Sequence, residues 1–507
     1  MFKKRGVFNS IIRYDNEVST FQLVLGDQLF YPLDRLDKLF PVIMIEHSDL
    51  CANIQFHQIK IAFFFSAMRH YRDDLIANGF NVHYIEYTHE QPPFMEVLHA
   101  QCPNLSELIV TEIVSQSFRS VVETYCLTHQ INCKVKPTPM FIQEKGHFFD
   151  YLLTVKRPFM KTYYEGVRKE NLILVDDHQK PLGGKWSFDA DNRNKCPKDQ
   201  CIPHRKFDQK DHTTHAVIAL VKQMFSHHPG CANDLWLPVT RPGALAWWGQ
   251  FKATYFQWFG DYEDAIDDRD PFLFHSAISP LINIGLLTPQ EIINDCLTLV
   301  GTLPFNALEG FIRQVIGWRE FIRGIYERYD DQQQTMNFWG IHRELTSHWY
   351  QATTGHLPLD DALRKTMKYA YNHHIERLMI IGATMLCSDV HPQSAYRWFM
   401  EMYVDGADWV MGPNVFGMSQ FSDGGIFATK PYICGSNYIR KMSHYGQGDW
   451  CHIADGLYWR FINANRSFFM KNPRMGMAVR TFDRMGAEKK SQVLTAANQF
   501  IEKVTKK

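Results

Sequence analysis

The chain has 507 residues, 45% hydrophobic and 14% aromatic, which is ample for two to four domains with large cores and points to a folded globular protein. Fifty-four basic residues balance fifty-four acidic ones, so any attraction for nucleic acid must arise on a local basic face and not from net charge. Eleven cysteines, an odd number scattered from Cys51 to Cys451 without a regular framework, fit a reducing compartment and argue against a disulfide scaffold.

The segment "MFKKRGVFNSIIRYD" is basic but lacks an apolar core and a small-residue cleavage site, so it does not read as a signal peptide. No run reaches 18 apolar residues. A soluble cytoplasmic protein that does not enter membranes is expected. From residue 20 to 140, "FQLVLGDQL", "PVIMIEH", "NVHYIEY", "ELIVTEI" and "CKVKP" read as strands. Helical stretches separate several of them, the longest being "HQIKIAFFFSAMRHYRDDLIANG", which ends at Gly79. Such alternation predicts a doubly wound parallel sheet over residues 1–144. Ligands of these sheets sit beyond the carboxyl ends of strands, which singles out "GDQ" (Gly26, Asp27, Gln28) after the first strand.

Residues 145–240 loosen into polar, Gly/Pro-punctuated sequence that reads as a connector, with Trp186 and Phe188 available to anchor it. Cys196, Cys201, His204, His212 and His215 lie in it, but C-x4-C followed by H-x7-H-x2-H matches no zinc spacing, and a polar linker is the better reading. Residues 241–507 lose strand signals and carry helical periodicity with many aromatics, which predicts an all-α domain. Within it, "FLFHSAISPLINIGLLTP" sets Ser276 and Ser279 ahead of an apolar helix, where serines cap the helix and donate to a phosphate. By periodicity alone, "EGFIRQVIGWREFIRGIYE" is a core helix with a charged face. "YNHHIERLM" reads as an amphipathic helical turn carrying His373 and His374. Metal ligation there is set aside, because helical ligand pairs usually stand at i and i+4.

Taken together and in order, "LVLGDQL", "KIAFFFSAMRH", "HSAISPLINIGLL", "FIRQVIGWREFIRG", "HHIERLM" and "VDGADWVMGPNVFGMSQFSDGG" resemble the cryptochrome/photolyase family over nearly the whole chain. The branch they are most similar to is the bacterial one related to the iron–sulfur (6-4) photolyases. The resemblance implies that the helical domain binds FAD. His275, Ser276 and Ser279 match the segment around the flavin phosphates, and Gln314 and Arg319 match polar contacts from the following helix. Arg377 and Asp405 match a pair beside the isoalloxazine ring, with Asn414 near its edge. A buried guanidinium needs a carboxylate partner, and such a pair favours an anionic reduced flavin; a purely structural ion pair is the other reading.

His373 and His374 match the paired histidines of the lesion pocket. In (6-4) repair one of them is thought to deliver a proton, and His374 is the expected donor with His373 as support. Tyr432 matches a lesion-pocket tyrosine and Trp398 the flavin-proximal tryptophan of electron transfer. Asp27 and Glu46, with Gly26, match residues near the antenna chromophore, in this branch often a ribityl-lumazine; Asp27 is equally a turn former. Met411 stands where the superfamily often has Asn, Asp or Glu facing the ring, and a thioether neither gives nor takes a proton.

The chain departs from these relatives at the iron–sulfur cluster. The first cysteine position reads Pro358, the C-x2-C pair reads Gly446 and Asp449, and Cys387, Cys434 and Cys451 cannot restore the pattern, so no cluster is expected. The implied activity is light-driven electron transfer from reduced FAD to a pyrimidine photoproduct in UV-damaged DNA, the (6-4) adduct first among them; the alternative is a cryptochrome-like blue-light photoreceptor without repair. Arg440, Lys441, Lys471, Arg474 and Arg480, joined by Lys185 and Arg193, are expected to form a phosphate-binding rim, with a solvated basic surface as the other reading. The protein is expected to act as a monomer.

Overall fold

A computed structural model describes residues 18–47 and 54–507. The basic segment quoted first, Cys51 and the side chain of Arg474 lie outside the described residues.

Five strands, β1 (Thr20–Leu23), β2 (Val42–Ile45), β3 (Val82–Ile85), β4 (Glu107–Thr111) and β5 (Asn132–Lys136), form one parallel sheet in the order β3-β2-β1-β4-β5. Central β1 pairs on both sides, Leu23 standing opposite Ile43 on β2 and Val110 on β4. The chain winds one way from β1 to β3 and then crosses back to β4, so the switch in direction lies between β1 and β4. The period of two along β2 divides its side chains between two cores. Val42 and Met44 join the helix Gln58–Ala77 and the core of the helical layer. Ile43 and Ile45 join Phe21, Leu23, Phe94, Leu98 and Val122 on the opposite face. Both faces are therefore covered, as a buried parallel sheet requires.

The helix Gln58–Ala77 is buried along most of its length and ties the sheet layer to the helical one. Its Lys60 donates to the carbonyls of Met400 and Gly406, next to Asp405.

The stretch expected as a loose connector is in part helical, with His147–Thr154, Met160–Glu170 and His212–Met224. Between the last two run only short 3-10 turns. Buried Arg168 holds this run by donating to the Trp186 carbonyl at 2.9 Å while its guanidinium lies over the Trp186 ring. The Phe188 amide donates to Glu309 at 2.8 Å. Cys196 is buried against Arg269, whereas Cys201 is exposed.

From residue 241 the chain is helices joined by irregular segments, and its only strands among the described residues are a two-residue antiparallel ladder, Glu344–Leu345 with Thr505–Lys506, too short to leave an apolar pattern in the sequence. Pro358 stands in the first turn of the helix Leu357–Tyr369, and Cys451 is buried in Asp449–Ala464. That helix packs closely on Ala487–Val504. A Cβ at Gly456 would lie 2.4 Å from the Val493 carbonyl oxygen and 3.2 Å from the Ala497 nitrogen. Because the obstacle is backbone, Gly456→Ala should cost about 1–3 kcal/mol. A calorimetric scan should show a lower thermal midpoint; an unchanged midpoint would mean that the two helices separate freely. No described helix is long and apolar enough to cross a membrane.

Candidate functional site

Three helices of the C-terminal layer each contain a widened π turn: Arg313–Trp318, Glu376–Gly382 and Pro413–Ser419. A π turn holds one residue more than the α-helical repeat and re-aims the side chains around it, and such turns are frequent at functional sites. Pro413 has no N–H to continue the ladder, which gives the third turn its cause. The second and third turns cross where a Cβ on Gly382 would lie 2.1 Å from Ser419 Oγ. Between these walls and the segment from His275 to Asn283 lies a cavity of about 880 Å³. His275, Ser276, Ser279, Gln314, Arg319, Arg377, Asp405 and Asn414 all line it, as do His374 and Tyr432.

Arg377 and Asp405 form a bidentate pair, Nη1 to Oδ1 at 2.9 Å and Nη2 to Oδ2 at 3.2 Å. Ser279 Oγ donates to Asp405 Oδ2 at 2.6 Å, and Asn283 Nδ2 donates to the Asp405 carbonyl at 3.1 Å. Arg377 Nε donates to the Asn372 carbonyl, and its guanidinium lies 4.0 Å from the centre of the Tyr403 ring. Burial opposes the charge of Arg377, but Asp405 outweighs burial and the pKa is raised. Asn414 Nδ2 donates to the Val410 carbonyl.

Arg319 has no such carboxylate. Its Nη1 donates to Asn283 Oδ1 and its Nε to the Met140 carbonyl, and its guanidinium lies over Trp409, but Nη2 has no hydrogen-bond partner among the described residues. Burial lowers its pKa to about 9. A buried cation without a carboxylate favours the arrival of an anion. Gln314 is engaged within the protein, donating to Glu263 Oε1 at 2.6 Å.

The two adjacent histidines do not share a helical turn. Helix begins only at His374, and His373 precedes it in irregular backbone. His373 is buried, its ring stacked on His275 at 4.8 Å with an interplanar angle of 5°. Burial, with the charges of Lys365, His374 and Arg377, holds its pKa well below the usual imidazole value. His374 instead opens into the cavity, with Nε2 3.0 Å from Asp264 Oδ1. Burial alone would lower its pKa; the hydrogen bond and charge of Asp264, aided by Glu263, overcome burial and the smaller effect of Arg313, so the net shift is upward.

Sequence reasoning misses both Asp264 and Glu263. They sit in the acidic run "GDYEDAIDDRD", where nothing distinguishes them from a solvated charge cluster. Trp398 is fully buried and stands off the cavity wall; its ring meets Phe399 at 5.5 Å and Tyr403 at 5.9 Å, and Phe399 reaches the wall.

Gly26 and Asp27 follow β1 near the switch point, away from this cavity. Burial, with the charge of Asp408, pushes Asp27 up to about 6. Glu46, expected near the antenna chromophore, is engaged within the protein. Its carboxylate accepts from Arg69 Nε, Arg69 Nη2, the Tyr84 hydroxyl and the Tyr87 amide, which fills its four lone-pair directions and leaves none for a ligand. Of the basic residues expected around the mouth, Arg193 and Lys441 line the cavity. Arg193 is paired with Asp189 and lies 3.8 Å from Asp264, and Lys185 is paired with Asp191.

Residues 22–236 match the family model described as deoxyribodipyrimidine photo-lyase-related protein. The chain is 32% identical over 507 residues to a (6-4) photolyase of Agrobacterium fabrum, a match that takes in 96% of this chain and all of the relative. An uncharacterised protein of Acanthamoeba polyphaga mimivirus is 38% identical over 127 residues, 25% of this chain and the whole of that protein. Among solved structures, a bacterial class III photolyase from Agrobacterium tumefaciens superposes with a TM-score of 0.56 at 12% identity, covering 98% of this chain and 100% of the other. A cryptochrome from Synechocystis superposes with a TM-score of 0.52 at 13% identity, over 97% and 100% of the two chains. The structural likenesses establish a shared fold.

Proposed function

The chain belongs to the cryptochrome/photolyase family, in the branch of photolyase-related proteins, and from that premise we propose that it repairs DNA by light-driven electron transfer from reduced FAD to a pyrimidine photoproduct, the (6-4) lesion. Full-length likeness to a protein named a (6-4) photolyase supports the choice of lesion. The single observation that carries the reading is that His374, held to Asp264, opens into the same cavity as the Arg377–Asp405 pair.

The residues present fit FAD. The cavity is of the size that holds cofactors, and Arg319 Nη2 is a buried donor left over by the protein. The segment that begins at His275 would hold the phosphates through Ser276 and Ser279, Gln314 and Arg319 would add polar contacts, and Arg377, Asp405 and Asn414 would flank the ring system. Bound and reduced, FAD supplies the electron that light promotes. The protein's part is to exclude water, to keep a fixed positive charge at Arg377 and to hold a proton ready at His374. Because Nε2 is engaged with Asp264, Nδ1 carries the proton offered to the lesion. Buried His373, with its depressed pKa, stays neutral and supports the fold of the turn.

Tyr432 meets the lesion at the mouth, and Trp398 resupplies electrons through the aromatic rings between it and the wall. Gly26 and Asp27 remain the proposed contacts of a ribityl-lumazine antenna. No iron–sulfur cluster is assigned, since Pro358, Gly446 and Asp449 offer no thiolate. UV-damaged duplex is held at its phosphates by the basic rim while the lesion swings inward.

Delivery from an imidazolium sets the sign of the pH dependence. The His374 pKa is raised, so the proton is present below that value and repair falls as pH rises through it. Asp264→Asn removes the largest upward influence and should move the falling limb to lower pH; coincident profiles for parent and variant would exclude this coupling. The reading itself is tested by the absorption spectrum of the purified protein followed by illumination with a (6-4) oligonucleotide. Flavin bands and light-dependent repair are expected. Bleaching under blue light with the oligonucleotide left unrepaired would favour the photoreceptor.

A further inference from the structure

His275, His373 and His374 bring one ring nitrogen each to within 4.8 Å of one another, the only such gathering of three histidine, cysteine or acidic ligands among the described residues. The spacing argument against metal ligation presumes that both adjacent histidines lie on one helix. That presumption fails, because the helix starts at His374 and the third imidazole comes from a separate segment at His275.

Imidazoles that bind metals present one nitrogen to the ion and have the other tied to a carboxylate or a backbone carbonyl, which fixes tautomer and orientation. This arrangement is complete at His374 alone, with free nitrogens at the other two. His275 Nε2 is buried without a hydrogen-bond partner among the described residues and is left over. His374 Nε2 is tied to Asp264, leaving Nδ1. His373 has Glu376 Oε2 at 3.8 Å from Nε2, just beyond hydrogen-bond reach, and both of its buried nitrogens lack a hydrogen-bond partner among the described residues.

We infer that His275, His373 and His374 form a binding site for a divalent transition-metal ion of the imidazole-preferring kind, Zn²⁺ foremost, with its fourth position open to the cavity. Ligand bonds of about 2.0–2.1 Å in a tetrahedron set nitrogen separations near 3.4 Å, so closure asks each pair to approach by no more than about 1.4 Å from the 4.8 Å limit and the stacked His275 and His373 rings to turn until their in-plane lone pairs converge. His374, which opens into the cavity, is free to make that adjustment. Ligation uses the Nδ1 lone pair, and an imidazole that binds a metal there carries no proton at that atom. The ion therefore blocks the proton delivery proposed above. This consequence rests on the repair reading; the binding does not.

The test uses the flavin-loaded full chain in the dark. Equilibrium dialysis against Zn²⁺ should give one tightly bound ion per chain. Cu²⁺ in its place should show an electron paramagnetic resonance spectrum split by imidazole nitrogens. His275→Gln and His373→Gln should each weaken Zn²⁺ binding by more than about tenfold, the scale on which even an outer partner is felt, while exposed His452→Gln should not. If His275→Gln also sheds flavin, His373→Gln decides the matter, because His373 is not on the cavity wall. Absence of stoichiometric Zn²⁺, a Cu²⁺ spectrum without nitrogen splitting, or parental affinity in both variants would overturn the site. In the repair assay Zn²⁺ should abolish activity and a chelator restore it; bound Zn²⁺ with undiminished repair would overturn the block. A chain that repairs nothing leaves the binding measurements fully readable, so the two failures are distinct.

Discussion

His374→Ala should lower light-driven repair of a (6-4) oligonucleotide by about a hundred- to ten-thousand-fold, the usual contribution of a positioned proton donor, while leaving flavin content and photoreduction intact. The separation is expected because the His374 imidazole bonds to Asp264, whereas Arg377 and Asp405 bond to each other. Its removal takes away a proton source and little packing, since the ring opens into the cavity. His374→Gln would keep hydrogen bonding without acid strength and should be nearly as inactive. Single-turnover repair after one flash, compared with the flavin spectrum of the same sample, checks both halves. Repair at the parental rate in His374→Ala would strip the residue of its assigned role.

Asp405→Ala should have the largest effect on the integrity of the site. Asp405 accepts both guanidinium bonds of Arg377 and the Ser279 hydroxyl, and its carbonyl receives Asn283. Removing the carboxylate leaves a buried positive charge uncompensated, which costs about 3–5 kcal/mol. Flavin should be lost on gel filtration and the thermal midpoint should drop. Asp405→Asn keeps the shape and a hydrogen-bond acceptor but not the charge, and should fall between the two. The double variant Arg377→Met with Asp405→Leu removes both charges and should recover stability without recovering flavin binding. A double variant as unstable as Asp405→Ala alone would show that packing, not the stranded charge, carries the loss.

The architecture is legible in the sequence because it repeats. Period-two strands separated by an amphipathic helix announce the parallel sheet, and the burial of both sheet faces comes from the same apolar runs, as Val42 and Met44 on one side and Ile43 and Ile45 on the other illustrate. The site is legible only through the order of several motifs. Even then its decisive details depend on geometry that no spacing encodes. "IRQVIGWR" and "HHIERLMIIG" look like ordinary helix, yet each passes through a π turn that shifts the residues beyond it by one position. Asp264 is one acid among several in its run, and it matters because His374, 110 residues later, folds against it. Glu46 is likewise opaque, since nothing in the sequence tells that its carboxylate accepts from Arg69, Tyr84 and the Tyr87 amide inside the sheet layer. Arg319 cannot be recognised from sequence as lacking a carboxylate, because its acidic neighbour Glu320 points that group at the Ile142 amide instead.

The three widened turns also limit how this protein can change over generations. Excising one residue from Pro413–Ser419 would restore a regular helix and rotate everything on one side by about 100° relative to the other. Asn414 would swing off the wall, and no single side-chain replacement could return it. Substitutions at these places are therefore tunable, whereas length is locked, and any lineage that kept the cavity must have kept the count of residues between its corners.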